Sequence, residues 1–175
     1  MKYAALLRGI NVGGNNKVPM KTLIQLFESI GFTGVSTYIN SGNIFFESDK
    51  GDKELIREAI AAALGSAFDF EIPLLVKSRE ELEAILRVIP NHWTNDDNQK
   101  TDIAYLFPEV DYPEIVSQLP FDQEFINIMY VPGALIWNLS RVNHSKSKLD
   151  KIVGSKLYKQ MTVRNVNTAR RLAQD

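Results

Sequence analysis

Cysteine is absent from this 175-residue chain, which excludes disulfides, thiol nucleophiles and thiolate metal sites at once. Histidine is nearly absent. His92 and His144 are the two present, each in an expected loop, at no helical or strand spacing that would pair them on a metal. The sequence has no uninterrupted run of about eighteen apolar residues, the length a membrane-spanning helix needs. It also opens without a basic stretch followed by an apolar one. A cytoplasmic protein with no membrane partner is therefore the expectation. The strand–Ser–helix elbow G-x-S-x-G is missing, and so are the phosphate-loop pattern G-x-x-x-x-G-K-[ST] and the dinucleotide pattern G-x-G-x-x-G. No pair of carboxylates stands apart from the charged helix faces as a general acid and base. Catalytic residues, cofactor and oligomeric state are all unassigned on this basis, and no metal is expected.

What is present is ordinary in amount and unusual in distribution. A hydrophobic fraction of 45% over 175 residues suffices for one packed core or two small lobes. The net charge of −1 conceals a segregation: residues 1–46 sum to +3, residues 47–140 to −11 and residues 141–175 to +7. Both ends are positive, so a local field for anions arises if they meet. Solvated helix faces account for the same charges without any ligand.

Hydrophobic spacing gives the order of elements. Tyr3–Leu7 reads as a buried strand. Pro19 stands where a first helical residue belongs, and Met20, Leu23, Ile24, Phe27 and Ile30 follow helical spacing to Gly31. Val35–Ile39 and Ile44–Glu47 read as strands around a turn, Asn40-Ser41-Gly42-Asn43. Asp52 to about Leu64 reads as a helix with Leu55, Ile56, Ala59, Ile60 and Ala63 inward. Ile72–Lys77 reads as a strand whose Pro73 favours its start or a sheet edge. Ser78 and Glu81 form a capping-box signature for a helix running to Pro90. Asn91–Lys100 is a polar connection. Beyond it Ile103–Phe107 is a strand, Pro113–Leu119 a short helix, and Phe125–Tyr130 and Ala134–Leu139 a hairpin. Ser145 to about Tyr158 reads as one helix, Met161–Val163 as a short strand and Val166–Ala173 as a terminal helix.

The order βαββαβ occurs twice. The expected fold is α+β: tandem ferredoxin-like lobes, residues 1–78 and 79–175, with an extra C-terminal helix. In such a lobe the loop after the first strand and the hairpin between strands two and three are expected at opposite ends, unless strand lengths are unequal.

Three stretches can carry chemistry. In Leu6–Asn16, LLRGINVGGNN, glycines allow left-handed backbone and close ligand approach, and successive N–H groups can form an anion nest beside Arg8. The alternative is a long turn whose asparagines satisfy their own backbone, with Arg8 in an ion pair. The turn at Asn40–Asn43 uses residues common in hairpins. The strand Ile44-Phe45-Phe46 after it bears a weak likeness to the aromatic strand of RNA-recognition domains, without that signature's glycines. Ser147-Lys148-Leu149 and Thr162 to Thr168 form the third stretch. There Asn165 or Asn167 can cap the last helix, and an anion at its N-terminus can be clamped by Arg164. A plain cap with Arg164 paired to a carboxylate is the other reading.

Taken together, LLRGINVGG, TYINSGN, SKL and TVRNVNT resemble the bacterial domain of unknown function 1697, over essentially the whole chain. The resemblance implies a tandem ferredoxin-like architecture and no established activity. Its motif positions fall on Arg8, Gly9, Asn11, Gly13 and Gly14, then on Ser41, Gly42 and Asn43. In the C-terminal stretch they fall on Ser147, Lys148, Thr162, Arg164, Asn165 and Thr168. Val166 departs from the pattern, where many relatives carry an aromatic residue. The set holds three cations and no acid, which suits phosphate, a nucleotide or a carboxylate metabolite better than a hard metal ion.

The leading expectation is a small anionic ligand bound where the N-terminal loop and the Arg164 segment meet, through Arg8, Asn11, Gly13, Gly14, Ser41, Asn43, Ser147, Lys148, Arg164, Asn165 and Thr168. A module binding RNA or DNA is the second reading. A structural or interaction protein with no ligand is the third.

Overall fold

In the computed structural model, which describes residues 1–174, local signals and strand pairing account for each element in turn. The chain divides into two units, Met1–Leu82 and Glu83–Gln174.

The first unit opens with β1 (Lys2–Leu7), buried along nearly its whole length. Helix α1 (Met20–Ser29) follows Pro19, which is extended and sits one residue outside the helix, and buries Leu23 and Phe27. Strands β2 (Thr33–Thr37) and β3 (Asn43–Glu47) come next. Helix α2 (Lys53–Ala67) is capped by Asp52, whose carboxylate accepts the Glu54 N–H at 2.9 Å and the Leu55 N–H at 3.3 Å. This satisfies two amides that the helix cannot pair internally. Ile56, Ile60 and Leu64 are its buried face. Leu55, expected inward, is 56% exposed, because the inward stripe of α2 recurs at 56, 60 and 64 and leaves 55 on its flank. Strand β4 (Leu74–Ser78) starts just after Pro73. The strands pair antiparallel throughout, in the order β2-β3-β1-β4. One sheet face joins Tyr3, Ala5, Leu7 and Phe46 to the helices' Phe27 and Ile60 in one core. The alternate residues Ala4, Leu6, Phe45 and Leu75 are buried as well.

Strand boundaries in the first unit shift by up to two residues from the spacing-based reading, most clearly at β2. β2 runs over Thr33–Thr37, not 35–39. Its register shifts between Thr33 and Ser36 around Gly34 at φ +59°, and Ile39 has left the strand at φ +51°. The turn is therefore longer than four residues.

Helix α3 (Arg79–Arg87) begins in the first unit and ends in the second. Its capping box forms as the sequence implies: Ser78 N–H donates to Glu81 at 2.8 Å and Glu81 N–H donates to Ser78 Oγ at 3.3 Å. Desolvation raises the half-buried Glu81 carboxyl, but bonds from Lys53 and the Ser78 N–H outweigh it and hold the group below its usual range.

The second unit repeats the strand order with different connections. β5 (Gln99–Leu106), β6 (Asn127–Val131), β7 (Ala134–Ser140) and β8 (Met161–Asn165) form an antiparallel sheet ordered β6-β7-β5-β8. β5 begins four residues before the expected Ile103, so Lys100 and Asp102 belong to a strand. The expected helix at 113–119 is a tighter 3-10 segment, Pro113–Gln118. The expected helix from Ser145 to Tyr158 does not exist as one element. It is α4 (His144–Ser147), a 3-10 turn Leu149–Ile152 and another at Tyr158–Gln160. Lys148 at φ +58° and Gly154 at φ +87° interrupt the winding. Ser147 Oγ also takes over local backbone bonds, donating to the His144 carbonyl at 2.6 Å and accepting the Leu149 N–H at 3.2 Å. Such side-chain competition is what makes serine a helix-ender. Leu149 and Ile152 still reach the core, so the apolar spacing reflected burial and not a continuous helix. Helix α5 (Val166–Leu172) ends the unit. Among the described residues no helix is long and apolar enough to cross a membrane.

Candidate functional site

The N-terminal loop is built largely for itself. Asn11, at φ +54°, donates from Nδ2 to the carbonyls of Val18 (3.0 Å) and Asn40 (3.3 Å), and its Oδ1 accepts the Val18 N–H at 2.8 Å. Asn16 Nδ2 donates to the Gly9 carbonyl at 3.0 Å. Val12 and Asn15 pair as a small bridge, which leaves Gly13 and Gly14, both at positive φ, as an exposed tip. The asparagines thus close the turn on its own backbone, as the plainer reading of this stretch has it.

The turn at 38–43 lies beside this loop, against the expectation of opposite ends. Antiparallel pairing of β1 with β3 sets Leu6 across from Asn43, so the exit of β1 and the entry of β3 share one end of the sheet. Leu7 N–H donates to the Gly42 carbonyl at 2.8 Å. A Cβ on Gly42, at φ +72°, would stand 2.8 Å from Leu7 Cβ, which is why no side chain fits there. Asn43 is fully buried and its Nδ2 donates to the Tyr38 carbonyl (3.1 Å) and to Ser41 Oγ (3.0 Å). Asn11 is thus bonded to Asn40, Asn43 to Ser41 and Gly42 to Leu7, which ties loop, turn and β1 together. Arg8 anchors β1 through its own N–H, bonded to the Pro73 carbonyl at 2.8 Å.

In the second unit Ser147 is buried and spends its hydroxyl on α4. Lys148 pairs with Asp122 at 3.4 Å. Asn165 Oδ1 accepts the Thr168 N–H at 2.9 Å and caps α5. Arg164 Nη1 donates to Thr162 Oγ1 and to the Val163 carbonyl, each at 2.9 Å. Burial pulls its guanidinium down to about 10, opposed by the Tyr105 and Tyr158 hydroxyls. Burial likewise pushes the Tyr105 phenol well above its usual range. Neighbours on a strand point to opposite faces, so Arg164 and Asn165 do not act on the same space.

The face that Asn165 shares with Val163 opens on a cavity of about 440 Å³ that lies wholly within the second unit. Its floor is a row across three strands. In the sheet register Asp102 stands between Trp137 of β7 and Asn165 of β8. Asp102, with only 7% of its side chain exposed, receives the Trp137 indole N–H on Oδ2 at 3.1 Å, and Lys100 Nζ lies 3.0 Å from the same oxygen. Arg141 and Asn95 form a polar wall. Arg141 Nε donates to the Asp96 carbonyl at 2.5 Å and Nη2 to Asn95 Oδ1 at 3.1 Å. Both hydrogen-bond acceptors are neutral, while the Asp96 carboxylate lies within the field of the guanidinium without forming an ion pair. His144 and Asp150 are another part of the lining, 3.6 Å apart. Leu149, Ile152 and Val153 supply an apolar wall. Of the residues the sequence singled out as site residues, Asn165 alone lines this space. Asp102 was missed because a charge at the start of a strand reads as loop. A signal existed: Lys100, Asp102 and Ala104 alternate on one face of β5, so a charge two positions from a buried residue marks either an edge or a site.

Comparison with known proteins bears on this arrangement in two ways. The family model described as "Protein of unknown function (DUF1697)" matches residues 1–137, more than half of the chain. The chain belongs to this family. Within DUF1697 the match takes in β5 and the floor residues Asp102 and Trp137 and stops before Arg141. Among solved structures, the conserved bacterial protein SP0830 from Streptococcus pneumoniae is similar at 29% identity, with a TM-score of 0.86 over 99% of this chain and 97% of that one. A search of curated proteins gave no match.

Proposed function

We propose that this DUF1697 protein binds a small anionic ligand, a phosphate, nucleotide or carboxylate metabolite, in the cavity of its second unit. The observation that carries the reading is Arg141: a cation on the wall of a 440 Å³ cavity, whose hydrogen bonds go to a carbonyl and an amide oxygen and which forms no ion pair with an acid. Holding a guanidinium by neutral acceptors leaves its charge available, and its planar fork suits carboxylate or phosphate. The volume falls in the range of pockets for small ligands, roughly 300–1,000 Å³. Each unit is, on this reading, a ferredoxin-like lobe and the pair a duplication, supported by the same order of paired strands in both.

Two facts weigh against a nucleic-acid module of the RNA-recognition kind. Such modules stack bases on exposed aromatics of a sheet face, yet Phe46 in the first unit packs into its own core against Phe27 and Phe32, and Trp137 in the second packs into its own core against Phe121. The structural reading keeps part of the motif, because Asn11, Asn43 and Ser147 hold turns together. They are assigned that role here, and anion binding is assigned to the cavity.

The test is a titration of the full chain with inorganic phosphate, AMP and glutarate, read by calorimetry and by melting temperature. At least one should bind, and Arg141→Gln should weaken it by about tenfold or more, as loss of a charge-assisted bond implies, with unchanged circular dichroism. Binding that Arg141→Gln leaves intact, or no binding at all, would refute the assignment.

A further inference from the structure

Resting on that reading, we infer that the ligand is dipolar: beside its anionic group it carries an amino or ammonium group, which docks on Asp102. The floor of the cavity supports this through two unused polar atoms in one cross-strand row. Asp102 Oδ2 is occupied by Trp137 and Lys100, whereas Oδ1 has no hydrogen-bond partner among the described residues. No fully buried side-chain oxygen or nitrogen among the described residues lacks a partner. Oδ1 is therefore not sealed in, and the cavity that Asp102 lines is the space open to it. Next to it in the register, Asn165 uses Oδ1 for the helix cap, and its Nδ2 has no hydrogen-bond partner among the described residues.

A nearly buried carboxylate is costly unless its charge is answered. Lys100 and the indole answer it on one side only. A carboxylate accepts on both oxygens, so the second is matched by a donor from outside, and an ammonium there makes a charge-assisted bond on the side Lys100 does not reach. A purely anionic ligand would set its own charge against Asp102. Arg141 on the wall takes the anionic end, as proposed above. Leu149, Ile152 and Val153 are left for the apolar part. An amino-acid-like compound has these three parts, and plain phosphate has one.

The experiment uses matched pairs that differ by one amino group: L-phenylalanine against 3-phenylpropionate, and L-glutamate against glutarate. Each is titrated into the full chain by calorimetry. In the wild type the amino member of at least one pair should bind about ten- to a hundredfold tighter, the effect of a charge-assisted bond. Asp102→Asn, which keeps an acceptor for the indole, should bring that ratio close to one while the carboxylate still binds. Carboxylates that bind as tightly as their amino partners in the wild type overturn the inference and leave anion binding standing. A preference that survives Asp102→Asn overturns it too. Absence of binding by either member of both pairs, with phosphate and AMP also silent, removes the anion reading and this inference together. If Asp102→Asn does not fold, the wild-type preference decides alone.

Discussion

Two sheets with one strand order carry opposite kinds of connection, and the contrast explains where the cavity lies. In the first unit, α1 of 10 residues and α2 of 15 residues cover the sheet. Their apolar stripes interlock with Tyr3, Leu7 and Phe46 into one core. In the second unit the corresponding connections are 3-10 segments and one helix of 4 residues. A short segment cannot present a long apolar stripe, so it covers less of the sheet. Trp137, Asp102 and Asn165 face the space that is left. On the proposed reading, the closely covered sheet is a support and the partly covered one holds the ligand, the difference lying in the connections.

The comparison can be broken at its tightest point. Gly42→Ala puts a methyl group 2.8 Å from Leu7 Cβ at a residue with φ +72°. Left-handed strain and overpacking together should cost about 2–4 kcal/mol, read as a lower denaturation midpoint in urea. An unchanged midpoint would mean that the turn and β1 are not closely packed. A small effect is expected at the open side. Val153, 62% exposed on the cavity wall, packs little, so Val153→Ala should alter stability by no more than about 0.5 kcal/mol. A loss like that of a core truncation, about 2 kcal/mol or more, would show that the segment is as tightly packed as α2.

Much of the architecture was legible because its signals are local. Asp52 at a helix start, the Ser78–Glu81 pair, and the 3.6-residue spacing through Leu23 and Phe27 are each decided within a few residues. The βαββαβ order of the first unit followed from them. What depends on partners far along the chain was not legible. The nearness of Gly42 to Leu7 comes from antiparallel pairing of strands one and three, which no local pattern announces. Residues 145–158 show helical apolar spacing, yet Ser147, Lys148 and Gly154 supply turn chemistry that wins over it. The cavity was hidden for the same reason. Its polar residues are spread from position 95 to 165 over several strands and turns, and beyond the Lys100–Asp102 pair no local spacing joins them. The motif residues that did stand out, Asn11, Asn43 and Ser147, were conspicuous because unusual turns demand particular side chains. Unusual turns and ligand sites draw on the same glycine, asparagine and serine, so composition alone could not separate them.

Trp137 offers the most direct test, because its indole N–H is bonded to the floor carboxylate and the chain has only one other tryptophan, Trp93. In a two-dimensional ¹H–¹⁵N spectrum the two indole signals can be followed during titration with L-glutamate, glutarate and phosphate. The account predicts that the Trp137 signal moves saturably with at least one of them, that Trp93, which does not line the cavity, stays in place, and that Arg141→Gln weakens the response. A Trp137 signal that stays fixed at saturating concentrations of all three would contradict it.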